Sequence, residues 1–340
     1  MIPAFFGLEG PVLTPRERAL FAACKPAGYI LFKRNIIDPA QVRTLTDALK
    51  ALAGTSRLAI LIDQEGGRVA RLQPPHWPEF PAGQRFGEAY ARAPLTAMAA
   101  ARANARAIAL TLSDLGITVD CLPLLDVAAD GMHAVIGDRA FGEDPLLVAA
   151  LGRATLDGLK AGGIIGVVKH IPGHGRATLD SHLALPVVDA SVEQLEADLA
   201  PFARLADAPM AMTAHIIYTA WDADRCATLS PFVIEQIIRR RCGFDGLLMS
   251  DDLGMHALAH QPGGNSLAGR AAGVIAAGCD IALHCSGDFA EMEAIADAMQ
   301  AMTKGSADRL DRAMAWADEP SGDAASFADK RDALLAAVLA

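Results

Sequence analysis

The sequence predicts an α/β protein, a (β/α)8 barrel of TIM type filling a single domain over residues 1–340. Two observations carry that prediction. Eight short apolar runs alternate with longer Ala/Leu-rich segments of helical period, the signature of repeated βα units around a parallel sheet. The 340 residues then average about 42 per unit, which suits a barrel. An open doubly wound sheet is the alternative, but the Gly-rich dinucleotide fingerprint that should follow its first strand is missing.

The strands are read at Ala4 to Leu8, Tyr29 to Phe32, Leu58 to Ile62, Ile117 to Leu125, Ile164 to Val168, Met210 to Ala214, Leu247 to Met249 and Ile281 to Leu283. Between them the helical period runs over Arg16 to Cys24, Pro39 to Leu52, Leu95 to Leu115, Pro145 to Lys160, Val192 to Leu205, Pro231 to Arg241, Leu267 to Ala277 and Phe289 to Met302. Residues Ala307 to Ala340 read as one or two extra helices around the loop Glu319-Pro320-Ser321-Gly322. No shift in composition marks a second domain.

A formal charge of −10 argues against nucleic acid or an anionic membrane as principal partner. No apolar run has the length of a membrane span, and the first residues lack both a basic leader and a sustained apolar stretch, so the expected location is the cytoplasm. The six cysteines are scattered without C-x-x-C spacing, which speaks against both structural disulfides and a zinc-thiolate site. No cofactor and no metal is expected, and the oligomeric state is not encoded legibly.

Each strand hands off to a polar residue: Glu9, Lys33-Arg34, Asp63, Asp126, Lys169-His170, His215, Asp251 and His284. In a parallel barrel these ends converge on one face and can surround one small ligand. The stretch 164–186 is the richest in chemistry. Its apolar run ends in Lys169-His170, passes through a Gly/Pro-rich loop and delivers Asp180-Ser181-His182, a carboxylate beside an imidazole, before Pro186.

Three motifs, in order, resemble the single-domain β-N-acetylglucosaminidases of glycoside hydrolase family 3. They are Asp63-Gln64-Glu65-Gly66-Gly67-Arg68-Val69 with Arg71, Lys169-His170-Ile171-Pro172-Gly173-His174-Gly175 with Asp180-Ser181-His182, and Ser250-Asp251-Asp252-Leu253. Ile171 stands where that family usually has Phe. The resemblance runs from about Phe6 to the helix near Met314. It implies a retaining β-N-acetylglucosaminidase of cell-wall recycling acting on small carbohydrate substrates, N-acetylglucosamine joined to anhydro-N-acetylmuramic acid with or without peptide.

By that resemblance Asp251 is the nucleophile that forms a covalent glycosyl intermediate. His182 is the general acid/base and Asp180 its partner, a dyad taking the place of the second carboxylate used by most glycosidases. Asp63, Arg71, Arg139, Lys169 and His170 form the implied shell around the sugar hydroxyls, Arg139 resting on the shorter match Val135 to Phe141. Alternating side-chain direction assigns Asp251 to the pocket and Asp252 to a cap. The i, i+2 spacing of Asp180 and His182 would put both on one side of an extended loop. Arg68 and Asp138 read as a rim salt bridge and His174 as a residue that structures its loop. His215 either lines the site floor or is a satisfied core imidazole, while His76, His133, His256, His260 and His284 carry no role.

Rival readings remain at this level. A family 3 glycosidase acting on glucosides or xylosides would share the motifs. A zinc hydrolase using His170, His174, His182 and Asp251 would normally present a His-x-His pair on its first strand, where this chain has Gly7-Leu8-Glu9-Gly10. A Schiff-base lyase built on Lys169 leaves Asp251 and the Asp180/His182 pair unexplained, and a non-catalytic sugar-binding barrel leaves all three unexplained.

Overall fold

The computed structural model describes residues 1–181 and 183–339. Eight parallel strands close into a barrel in sequence order: β1 (Ile2–Gly7), β2 (Pro26–Leu31), β3 (Ala59–Ile62), β4 (Val119–Asp120), β5 (Ile165–Ile171), β6 (Met210–Thr213), β7 (Leu247–Asp252) and β8 (Ile281–His284), with β8 pairing back onto β1. Alternation sorts each strand into two cores. Phe5, Ile30, Leu61, Val167, Met210, Leu247, Met249 and Ile281 fill the barrel interior, while Phe6, Tyr29, Ile60, Val168 and Leu248 face the surrounding helices.

Local chemistry sets where the helices begin. Thr14 and Glu17 form a reciprocal capping box ahead of Pro15–Cys24, and Ser191 with Gln194 does the same for Val192–Arg204. Asp38 caps Pro39–Ala53 and Asp144 caps Pro145–Ala161, each with proline at the first position, where its missing N–H costs nothing. Beyond the eighth strand, Phe289–Ala298 ends earlier than its periodicity suggests. Helix Lys304–Met314 then closes the base of the barrel, its Leu310 and Ala313 buried against the interior core. The last helix, Ala324–Leu339, docks on Pro94–Asp114 through Arg331, which donates to Asn104 at 3.1 Å and stands over the Phe80 ring.

Four features depart from the pattern read in the sequence. β4 has two ladder residues where Ile117 to Leu125 looks continuous; beyond it the Leu122 and Pro123 carbonyls accept from Val167 and Lys169 N–H, Pro123 has no N–H to return, and an isolated bridge joins Leu124 to Lys169. β5 is longer than its apolar run, so Lys169 and His170 lie within the strand and are buried. After β3 the chain makes a hairpin, Gln64–Gly66 with Val69–Ala70, and then a helix, Gly83–Arg92, whose polar composition hid its period. The segment expected from Pro231 forms a π-helix over Val233–Arg241. Among the described residues no helix is long and apolar enough to cross a membrane.

Candidate active site

The C-terminal strand ends open onto a cavity of about 380 Å³, within the ~300–1,000 Å³ range of small-molecule sites. Its lining includes Asp63, Arg71, Arg139, Lys169, His170 and Asp251, six of the residues singled out from the sequence, together with Glu65, Arg68, Asp252, Phe32, Met212 and Cys285. Asp180 is outside this lining, and His182 lies outside the described residues.

Asp63 emerges directly after β3 and bridges two cations, accepting from Arg71 Nη2 at 2.9 Å and Lys169 Nζ at 3.1 Å. Burial alone would raise its carboxyl; the Lys169 and Arg71 charges outweigh that and hold it well below the usual carboxylate range. Its remaining lone pairs are free to accept from vicinal hydroxyls. The hairpin supplies Arg71. The Gln64 amide oxygen accepts from the backbone N–H groups of Arg71 and Leu72 at 2.9 and 3.0 Å, and the Gln64 N–H donates to Asp120 at 3.0 Å.

Glu65 is the residue the sequence reading undervalued. It lies two positions after Asp63, on the first strand of the hairpin, and lines the same cavity. Arg139 clamps it with two 2.8 Å bonds and Lys169 Nζ sits 2.6 Å away, with the Glu65 side chain 5% exposed. Burial pushes this carboxyl up, but Lys169 and Arg139 bring it down to about 2. Arg139 and Lys169 are thus both held by the Glu65 carboxylate, and Glu65 together with Asp63 keeps the Lys169 ammonium protonated far above neutral pH despite its burial. Beneath them Asp120 is fully buried, and burial pushes its carboxyl well above the ordinary range.

Asp126 was visible only as one of the strand-end polar residues. Leu125 N–H donates to Lys169 O at 2.7 Å, which lays residues 124–126 along β5 and sets Asp126 against His170. The His170 ring bonds Asp126 through Nδ1 at 2.8 Å. With Nδ1–H given to the carboxylate, Nε2 is the ring nitrogen left for the cavity.

Asp251 closes the opposite wall, its Oδ1 accepting from Asp252 N–H at 2.8 Å. Strict alternation would have turned Asp252 away, yet both line the cavity. A register shift against β8 between Met249 and Asp252 breaks the alternation. Asp252 nevertheless has structural partners: its Oδ1 accepts from Gly254 N–H at 3.1 Å and from Cys285 N–H at 2.9 Å, capping the turn and stitching β7 to β8. His215 resolves to a satisfied core imidazole, fully buried, with Nδ1 on Thr228 Oγ1 at 2.7 Å and Nε2 on the Asp252 carbonyl at 3.1 Å. Arg68 pairs with Asp138 at 2.9 Å and holds the carbonyls of Ala134 and Val135, buttressing the loop that carries Arg139.

The Asp180 carbonyl accepts from Leu183 and Ala184 N–H at 2.9 and 3.0 Å, so Asp180 opens a turn, while the expected one-sided placement of Asp180 and His182 involves a residue outside those described. Ser181 is buried beside His174, and the His174 ring lies 5.6 Å from the His170 ring. Through Ser181 and His174 the loop is thus linked to His170, which lines the cavity. Among the described residues no group of three or more His, Cys, Asp or Glu side chains is placed to hold a metal ion.

A closed barrel whose strand ends gather carboxylates and fixed cations around a cavity of this size defines a TIM-type barrel with a charged site for a small ligand. Residues 14–315 match the glycosyl hydrolase family 3 N-terminal domain. A β-hexosaminidase of Alkalilimnicola ehrlichii is 41% identical over 287 residues, 84% of this chain and 80% of that protein. One from Chromobacterium violaceum is 40% identical over 287 residues, 84% and 78% of the two chains. The crystal structure of NagZ from Neisseria gonorrhoeae in complex with N-trifluoroacetyl-D-glucosamine has a TM-score of 0.86 at 32% identity, covering 98% of this chain and 97% of that one. The chain belongs to glycoside hydrolase family 3 and is an enzyme of the β-N-acetylhexosaminidase class.

Proposed function

We propose that the chain is a retaining exo-β-N-acetylglucosaminidase. It releases terminal N-acetylglucosamine from peptidoglycan fragments, N-acetylglucosaminyl-1,6-anhydro-N-acetylmuramic acid with or without peptide, and works in the cytoplasm as one catalytic barrel. The observation that supports this best is the facing of Asp251, at the end of β7, by the fixed Asp63, Arg71 and Lys169 cluster across one small cavity.

In this reading Asp63 accepts from vicinal hydroxyls of the sugar while Arg71, Lys169 and Arg139 donate, all held in place before substrate arrives. His170 turns Nε2 toward a sugar hydroxyl. The bound ring presents its anomeric carbon to Asp251, which attacks and forms a glycosyl ester as the leaving-group oxygen takes a proton from His182. Asp180 orients that imidazole and favours its protonated form. His182 then deprotonates the water that releases the sugar. The similarity to a protein crystallised with N-trifluoroacetyl-D-glucosamine supports the 2-acylamino sugar.

A turnover panel of aryl β-N-acetylglucosaminide, β-glucoside and β-xyloside, with the anhydromuramyl disaccharide alongside, tests the substrate. The N-acetylglucosaminide and the disaccharide should both be cleaved and the other two should not. Preference for glucoside or xyloside would move the chain to another family 3 specificity, and cleavage of the aryl glycoside without the disaccharide would remove the peptidoglycan assignment.

A further inference from the structure

The loop that carries Asp180 and His182 is joined to the sugar cavity through one buried carboxylate. Asp126 is fully buried and its oxygens are shared between two segments. Oδ1 accepts from the backbone N–H of His170 at 3.1 Å and from that of His174 at 2.7 Å, while Oδ2 holds the His170 ring. His174 in turn meets the Ser181 hydroxyl through Nε2 at 3.2 Å. Ser181 is 3% exposed and lies between the two residues assigned to proton transfer. Its carbonyl accepts from Ala257 N–H, just beyond β7, at 3.3 Å.

The two ends of this chain of contacts differ in packing. Gly173 is pinned through its carbonyl by Tyr218 Oη at 2.8 Å, and at Gly175 an added Cβ would lie 1.7 Å from the Val127 carbonyl, so the backbone there is packed against residues next to Asp126. Four to eight residues further on, Leu179 and Leu183 are 48% and 76% exposed. Between these exposed positions the buried Ser181 is where the loop tip is fastened. Burial and the neighbouring His170 hold the His174 imidazole down at about 4, so this ring stays neutral across the working range and its contact with Ser181 does not titrate there.

We infer that Asp126, His174 and Ser181 form a positioning relay that fastens the acid/base loop to the residue lining the sugar cavity, His170, so that filling the cavity and docking the loop reinforce each other. Ser181 is the clip at the loop end, and Asp126 is the joint. Neither touches the reacting atoms. This inference rests on the reading of Asp180 and His182 as the proton-transfer pair, and its test separates the two.

The full-length enzyme with Ser181→Ala, Asp126→Asn and, as reference, His182→Ala is assayed on the disaccharide and on a dinitrophenyl N-acetylglucosaminide. Hydrogen exchange of residues 176–186 and the inhibition constant of N-acetylglucosamine are measured alongside. Loss of one hydrogen bond that positions a general acid should lower kcat on the disaccharide about tenfold in Ser181→Ala, the rate equivalent of about 1.4 kcal/mol. The activated glycoside, which needs little protonation, should be affected far less. Exchange of 176–186 should quicken while the inhibition constant stays unchanged, and Ser181→Thr, which keeps the hydroxyl, should restore the rate. Asp126→Asn should show the same leaving-group dependence and also weaken N-acetylglucosamine, and combining it with Ser181→Ala should cost less than the sum of the two.

If His182→Ala is leaving-group dependent but Ser181→Ala matches the wild type in both exchange and rate ratio, the clip is wrong. If Asp126→Asn weakens the sugar without moving the loop, or the two variants add fully, the joint is wrong. If His182→Ala shows no leaving-group dependence, the proton-transfer assignment fails on its own, and quickened exchange in Ser181→Ala and Asp126→Asn still decides for the relay.

Discussion

Glu65→Gln perturbs the cavity at the point where its charges are most interdependent. Three nitrogens converge on the Glu65 carboxylate, two from Arg139 at 2.8 Å and Lys169 Nζ at 2.6 Å, in a nearly water-free setting. The carboxyl is held at about 2 against an ordinary 4.5, and at about 1.4 kcal/mol per tenfold in proton affinity that gap corresponds to roughly 3 kcal/mol. Removing one partner of a buried pair costs about 3–5 kcal/mol, which agrees. Glutamine keeps one acceptor oxygen but turns an amide NH2 toward a cation. Urea unfolding at pH 7 should therefore show a loss on the order of 3 kcal/mol. The inhibition constant of N-acetylglucosamine should rise, because Arg139 and Lys169 lose the support that aims them. The pH dependence fixes the sign: a carboxyl whose folded value is depressed contributes stability above its unfolded value and loses it as pH falls. The difference between wild type and Glu65→Gln should be full above about pH 5 and roughly halved by pH 3. A change below about 0.5 kcal/mol, the level of an ordinary surface substitution, with sugar affinity intact would refute the claim that Glu65 holds the two cations.

Asp251→Ala should abolish turnover with little change in stability. Asp252→Ala should lower the unfolding free energy by about 1–3 kcal/mol through the lost bonds to Gly254 and Cys285, and calorimetry beside initial rates separates the two effects. Burial raises the folded Asp120 carboxyl well above its ordinary 3.8, so its contribution to stability falls as pH rises above that value. Asp120→Asn, which keeps an acceptor for Gln64 N–H, should gain on the wild type in unfolding measurements taken from pH 4 to pH 8, and a constant difference would show that Asp120 is ionised. His182→Ala should be severely slow on the disaccharide yet less impaired in glycosylation with an activated aryl group, with azide partly rescuing deglycosylation as a β-glycosyl azide. Equal losses on both substrates with no azide adduct would place the acid/base elsewhere.

The barrel was legible because each of its strands carries an apolar run that ends at a polar residue, and because helix starts such as Thr14 with Glu17 and Ser191 with Gln194 are written in local chemistry. The gathering of Asp63, Lys169 and Asp251 follows from parallel closure alone. What was hidden depends on pairing between distant segments. The register shift that brings Asp252 into the cavity lining, the course of residues 124–126 along β5 that sets Asp126 on His170, and the turn at Asp180 have no periodic signature. Glu65 was hidden differently. Its partner Arg139 lies 74 positions away and in a short, weakly marked motif, so a buried ion pair could not be told from a solvated acid. Pro123 is the clearest case of a residue that was visible and given too little weight, since a proline inside an apolar run removes a ladder donor.

The central claim is that Asp251 attacks the anomeric carbon from the end of β7. Incubation with a 2-fluoro glycoside bearing a good leaving group, followed by peptide mapping of the inactivated enzyme, reads that step directly. The account predicts a single glycosyl ester on Asp251, absent from the Asp251→Ala protein. A label on any other residue, or formation of an oxazoline from the N-acetyl substrate with no labelled enzyme, would contradict it.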